Sequence, residues 1–303
     1  MRQPNIGATF KRRRLGHFRD EDAYQRYRTA YDATFAALPL APEQTWDVDT
    51  SFGSVRVYRF GVDSREPIML LPGRAAAGLM WADNLPGLAG ARGTYCIDLL
   101  GEPGLSVQTK PITGDADHAA WLNELIAALP IDRVHLVGLS FGGWTALNLA
   151  GHHPQKLASV TALDPVNTFG RITWKVVVIS LGAVLPGMPE PWRSKLMSWI
   201  AGGAEASDTD PVAALIASGM RDFAAMLPHP TYPSDERLRS ITVPTLAVIA
   251  GRSIIHNPAK AAERARRLLP AATVETWPLA SHALNGEFPE RIASTIIAFA
   301  ARH

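Results

Sequence analysis

Gly138-Leu139-Ser140-Phe141-Gly142 is the stretch whose residue types and spacing are suited to chemistry. An apolar run from Val134 to Leu139, short enough for a buried strand, meets this Gly-x-Ser-x-Gly pattern. It continues with Trp144, Ala146, Leu147 and Ala150 at helical spacing. A strand that turns abruptly into a helix pushes one side chain out of the turn. A Cβ two residues to either side of the serine would collide with neighbouring backbone, so both flanking positions are glycine. Ser140 is therefore expected to be presented, with a hydroxyl placed for nucleophilic attack.

The elements that must position it follow a rhythm of strand, loop, helix, strand. Residues 1–20 read as a basic, poorly ordered arm, and Glu21 to Leu38 carries Tyr24, Tyr27, Ala30, Tyr31, Phe35 and Leu38 at helical spacing. Two alternating segments, Thr45–Asp49 and Val55–Phe60, are joined by Ser51-Phe52-Gly53-Ser54 and predict a hairpin. Apolar runs at Ile68–Leu71, Thr94–Ile97, Val134–Leu139, Leu157–Leu163, Thr245–Ala250 and Thr273–Trp277 predict strands. Asp115–Leu129, Pro258–Leu269 and Pro289–Ala300 predict helices between or after them. The expected fold class is α/β: a mostly parallel central sheet with helices on both faces and an antiparallel edge hairpin at the start. Sites in such sheets collect at the carboxyl ends of the strands. The interval Val166 to Ser240, with Trp174, Met188, Trp192, Met197, Trp199, Met220 and Met226 and no convincing alternation, predicts a helical cap insertion. The domain reading is 1–44 arm and helix, 45–165 with 241–303 core, and 166–240 cap.

Composition bounds the rest. A chain of 303 residues with 47% apolar and 19% charged residues is long enough for one large α/β domain with an insertion. A formal net charge of +2 does not imply a nucleic-acid partner, and the basic run Lys11-Arg12-Arg13-Arg14 reads as a solvated tail, with contact to an anionic surface as the lesser reading. Cys96 stands alone, inside an apolar run, so no intrachain disulfide forms. Residues 1–20 lack an apolar signal-peptide core, so the expectation is a cytoplasmic protein. Val176–Leu185 is about half the length a bilayer span needs. No His-x-x-x-His or paired-carboxylate cluster points to a metal.

The order of these elements resembles the α/β-hydrolase superfamily, in a carboxylesterase-like branch. The resemblance is carried by Leu70-Leu71-Pro72-Gly73-Arg74, Asp98-x-x-Gly101-x-x-Gly104-x-Ser106, the serine elbow, the insertion and Ala280-Ser281-His282. It implies Ser140 as nucleophile and His282, in the loop after the last strand, as general base. It further implies an oxyanion hole from the backbone N–H groups of Arg74 and Phe141, each donor worth about 3 kcal/mol at the transition state. The Arg74 side chain is open to three readings: pairing with a substrate carboxylate or phosphate, pairing with a nearby Asp or Glu, or facing solvent. Most members of the superfamily place the acid after the strand equivalent to Thr245–Ala250, but here that loop reads Gly251-Arg252-Ser253-Ile254-Ile255-His256-Asn257-Pro258, with no carboxylate. Asp164, at the end of Leu157–Leu163, keeps the chain order Ser, Asp, His and is the expected acid. Its competing role is an Asp-Pro turn cap; Asn257 as a neutral orienter, or a dyad without an acid, are the alternatives.

The function implied is a cofactor-independent serine hydrolase cleaving an ester, thioester or lactone of a small to medium apolar substrate. Trp81, Trp144, Trp174, Met188 and Trp192 are candidates for its pocket. Acyl transfer to a nucleophile other than water, or to peroxide, keeps the same site. A degenerate, ligand-binding hydrolase fold is the non-enzymatic alternative. Ser140 argues against haloalkane dehalogenase and epoxide hydrolase chemistry, which need an Asp at the elbow. The oligomeric state, monomer or homodimer, is left open.

Overall fold

The computed structural model describes residues 2–173 and 210–303, so Trp174, Met188, Trp192 and Trp199 lie outside the described residues. In chain order the elements are α1 (Thr9–Arg12), β1 (His17–Phe18), α2 (Glu21–Ala36), β2 (Gln44–Thr50), β3 (Gly53–Phe60) and β4 (Ile68–Leu71). A 3-10 turn (Gly78–Asn84) leads into α3 (Leu85–Ala91), β5 (Thr94–Ile97), β6 (Val107–Gln108), α4 (Asp115–Ala128), β7 (Val134–Leu139), α5 (Phe141–His152) and β8 (Leu157–Leu163). After the undescribed stretch come α6 (Pro211–Asp222), β9 (Phe223–Ala224), α7 (Asp235–Arg239), β10 (Thr245–Ala250), α8 (Pro258–Leu268), β11 (Ala272–Trp277), α9 (Leu284–Glu287) and α10 (Pro289–Ala300).

The main sheet runs β11-β10-β8-β7-β4-β5-β3-β2, with β6 alongside β3. From β5 to β11 every pairing is parallel, while β2 and β3 form the antiparallel edge hairpin. Period-2 alternation in each buried strand feeds two cores. Met69 and Leu71 face one side with Trp121, Leu122 and Leu125 of α4 and Phe141, Trp144 and Leu147 of α5. Ile68 and Leu70 face the other, with Tyr27 and Tyr31 of α2, Leu85 and Leu88 of α3, and Ile292, Ile296 and Phe299 of α10. Helices thus cover both faces, and the six parallel strands deliver Pro72, Asp98, Ser140, Asp164, Gly251 and the 278–288 loop to one end of the sheet.

The expectation of a poorly ordered arm over residues 1–20 is corrected. Leu15, His17 and Phe18 are buried, and β1 pairs antiparallel with β9. The Asn5 side-chain amide donates to the carbonyls of Gly16 and Gln108, at 3.0 and 2.7 Å. The physical reason is aromatic: the Phe18 ring meets Tyr24, Tyr27 and Phe223 at centroid distances of 5.0–5.1 Å, a cluster that repays the cost of ordering the chain. Lys11 to Arg14 are exposed, as expected, but stand on an ordered turn. β9, inside the interval predicted to be helical, was missed because two residues are too few for alternation to register. Among the described residues no helix is long and apolar enough to cross a membrane.

Candidate active site

The elbow behaves as backbone sterics demand. Ser140 sits at φ 54°, ψ −112°, between the end of β7 and the start of α5. A Cβ on Gly138 would come within 2.2 Å of Gly142 backbone, and one on Gly142 within 2.3 Å of the Leu71 carbonyl oxygen. The sharp turn is therefore packed directly on the end of β4. Its amide donates to the Leu163 carbonyl at 2.9 Å, and Val166 N–H donates back to the Ser140 carbonyl at 3.2 Å. The end of β8 is tied to the elbow, which puts Asp164 beside it.

Three side chains meet in a line. His282 Nε2 lies 2.9 Å from Ser140 Oγ, and His282 Nδ1 lies 2.6 Å from Asp164 Oδ2. A carboxylate only accepts, so its partner Nδ1 carries the proton and Nε2 is left to accept from the serine hydroxyl. His282 is held by its own loop: Ser281 N–H donates to Glu287 at 2.7 Å, and Arg252 N–H to the Ala280 carbonyl at 2.9 Å.

Asp164 is fully buried, at φ 41°. Its Oδ1 accepts from Ala250 N–H at 3.1 Å, and its Oδ2 also accepts from Ser253 Oγ at 2.6 Å. His256 Nε2 lies 3.2 Å from Oδ1, an ion-pair distance, though it is not directed along a hydrogen bond. Burial pushes this carboxyl up, but the imidazoles of His256 and His282 outweigh burial and hold it well below the usual carboxylate range. Asn257, the neutral alternative, is occupied elsewhere: its side chain caps α8 by accepting from Lys260 N–H at 3.1 Å.

The loop after β4 approaches the elbow closely, since a Cβ on Gly73 would stand 3.8 Å from Ser140 Cβ. Phe141 is the first residue of α5, where an N–H has no intrahelical acceptor and is free to meet a ligand. Of the three readings of the Arg74 side chain, the structure has the pairing with a nearby acid, Glu102, at 3.5 Å. The guanidinium also lies over the Phe141 ring, 4.6 Å from its centroid. Trp144 stacks on Phe141 and donates to the Thr231 carbonyl, while Trp81 is fully buried in the core on the α2 side of the sheet. Asp98 is structural: it accepts from Gly78 and Leu105 N–H groups and from Tyr31.

Sequence reasoning missed Ser253, His256 and Glu102. The first two were visible only as polar residues in a loop lacking its expected carboxylate, and Glu102 only as an acid inside the turn that follows β5. Among the described residues no three His, Cys, Asp or Glu side chains are grouped to hold a metal ion.

A mixed sheet of this order, with a strained serine between a parallel strand and a helix, is the alpha/beta hydrolase fold, and residues 66–195 match the family model for that fold; the chain is an enzyme with this fold. Over most of its length it is similar to two Bacillus subtilis proteins. Carboxylesterase YbfK is 26% identical over 282 residues, covering 90% of this chain and 93% of the relative. The uncharacterized carboxylesterase nap is 25% identical over 280 residues, covering 90% and 92%. Crystal structures of the naproxen esterase (carboxylesterase NP) and of CesB (YbfK) from Bacillus subtilis share the fold, with TM-scores of 0.82 and 0.84. They are 24% and 23% identical and cover 92% and 93% of this chain and 98% and 99% of their own.

Proposed function

We propose that this chain is a cofactor-independent serine hydrolase that cleaves carboxylic esters, thioesters or lactones of small to medium apolar substrates through an acyl-enzyme on Ser140. The observation that carries the reading is the unbroken line from Ser140 Oγ through His282 to Asp164, at 2.9 and 2.6 Å. Ser140 attacks the acyl carbon while His282 Nε2 takes its proton. Asp164, kept charged, holds the Nδ1 tautomer and stabilises the imidazolium. The oxyanion that forms is met by the N–H groups of Phe141 and Arg74. His282 returns the proton to the leaving alcohol or thiol, and water, activated by the same imidazole, then releases the acid. The similarity to Bacillus subtilis carboxylesterases supports the ester as substrate class. The acid residue differs from the superfamily's common position, and the donors from the loop after β10 are what make Asp164 fit that role.

A fluorophosphonate probe read by mass spectrometry tests this. Labelling of Ser140 in the wild type and none in Ser140→Ala is the expected result. Folded wild-type protein that stays unlabelled, and that hydrolyses no member of a p-nitrophenyl ester chain-length series, would sink the proposal.

A further inference from the structure

Glu102 is a buried carboxylate beside the candidate site that the proton relay does not use. Its side chain is 1% exposed, on the turn that follows β5. Oε2 accepts from Ala75 N–H at 2.9 Å, and Oε1, without a hydrogen-bond partner among the described residues, faces the Arg74 guanidinium at 3.5 Å. On the other side of Arg74, Gly73 N–H points to Met80 Sδ at 3.1 Å. The peptide planes before and after the one that carries Arg74 N–H are therefore both tethered, and that plane is itself held through its carbonyl, because Gly73 C=O accepts from Ala76 N–H at 3.4 Å. Ala75 has φ 57°, a left-handed conformation that alanine holds only when its surroundings impose it. Ala75 stands in a turn that Ala76 N–H closes on the Gly73 carbonyl at 3.4 Å, and the hydrogen bond to Glu102 holds its N–H in that conformation. The same carboxylate reaches the second donor indirectly, because the guanidinium it pairs with lies on the ring of Phe141.

We propose that Glu102 is the positioning residue of the oxyanion hole, fixing the direction of Arg74 N–H through Ala75 and bracing Phe141 through the Arg74 side chain. The proposal rests on the reading of Arg74 and Phe141 as oxyanion donors. A buried ion pair that merely held the turn together would affect stability and nothing else. A positioning role affects the transition state and leaves substrate binding alone, because the donors meet an oxyanion that exists only after attack.

The test compares Glu102→Ala, Glu102→Gln and Glu102→Asp in the full chain. Turnover of p-nitrophenyl acetate is measured together with inhibition by phenylboronic acid, whose adduct with a serine oxygen is tetrahedral and places a hydroxyl where the oxyanion would sit. Glu102→Ala is expected to lower kcat about 10- to 100-fold, less than loss of a whole donor, with KM within about twofold. Boronate affinity should fall by the same factor as kcat. Glu102→Gln keeps an acceptor for Ala75 N–H and should recover to within about threefold of wild type. Glu102→Asp, which draws the carboxylate back by one methylene, should fall between them and carries the test if the alanine variant does not fold. Unchanged kcat in the alanine and aspartate variants, a fall in kcat with boronate affinity unchanged, or a glutamine variant as poor as alanine would each overturn the positioning role. Wild-type protein with neither turnover nor Ser140 labelling would overturn the hydrolase reading and this one with it, whereas an active wild type with an indifferent Glu102→Ala variant removes this one alone.

Discussion

Replacing His118 with leucine should remove one distinct part of the protein's sensitivity to mild acid, His135 being a second buried imidazole pushed down to about 4. His118 lies on α4 with its ring edge-on to Phe141 and Trp144, at centroid distances of 5.6 and 5.4 Å. It is buried, and neither ring nitrogen has a hydrogen-bond partner among the described residues. Burial, and then the nearby Arg74 cation, push this imidazole down from 6.5 to about 4. Above pH ~7 the ring is neutral in both folded and unfolded chains and contributes no pH dependence. As the pH falls below the unfolded value of about 6.5, the unfolded chain takes up a proton that the folded chain refuses, and stability is lost until the folded value is reached. Linkage over the interval from about pH 7.5 to about pH 5 gives a loss of about 2 kcal/mol from this one group, rising to about 3 kcal/mol at still lower pH. Leucine abolishes the term. It also gives up aromatic edge contacts worth about 1 kcal/mol and relieves two unsatisfied nitrogens, changes that are independent of pH and of opposite sign. The diagnostic is therefore the slope. Urea unfolding of wild type and His118→Leu across this range should show the variant gaining about 2 kcal/mol on the wild type between the two ends. A constant difference between the two proteins would refute the reasoning.

Three further variants probe the site and the arm. Asp164→Asn should lower kcat by about four orders of magnitude by favouring the wrong tautomer of His282, whereas Asn257→Ala should cost about 1 kcal/mol through the lost α8 cap and leave kcat unchanged; steady-state kinetics and urea unfolding separate the two. Phe18→Ala should destabilise the fold by about 3 kcal/mol in urea unfolding, because its ring is buried among Tyr24, Tyr27 and Phe223. A tail without packing would show no change.

Local patterns carried most of the fold. The runs at Ile68–Leu71, Thr94–Ile97, Val134–Leu139, Leu157–Leu163 and Thr245–Ala250 coincide with β4, β5, β7, β8 and β10, since a strand buried on both faces is continuously apolar and bounded by turn residues. The elbow was legible because its geometry is set within five residues. The surroundings of Asp164 were not, because Ser253 and His256 reach it across 89 and 92 positions, and such contacts depend on the register of β8 against β10 rather than on any local period. Glu102 was hidden for the same reason, as its partners Arg74 and Ala75 lie on a neighbouring strand end. The arm was misread because Gly16, His17 and Phe18 look like a polar terminus until Phe223 is brought against them.

The hydrogen bonds that tie the elbow to the end of β8 bear on the order in which the molecule matures. Val134 to Val166 is one contiguous strand–helix–strand unit holding both Ser140 and Asp164, with contacts of lower sequence separation than the one that brings His282 to Asp164. His282 arrives from 118 residues beyond Asp164, after β10 and β11 have been added to the sheet edge. On the proposed roles the serine and the acid come from neighbouring strand ends and the base from the carboxyl-terminal segment, so the relay is complete only once that segment has docked.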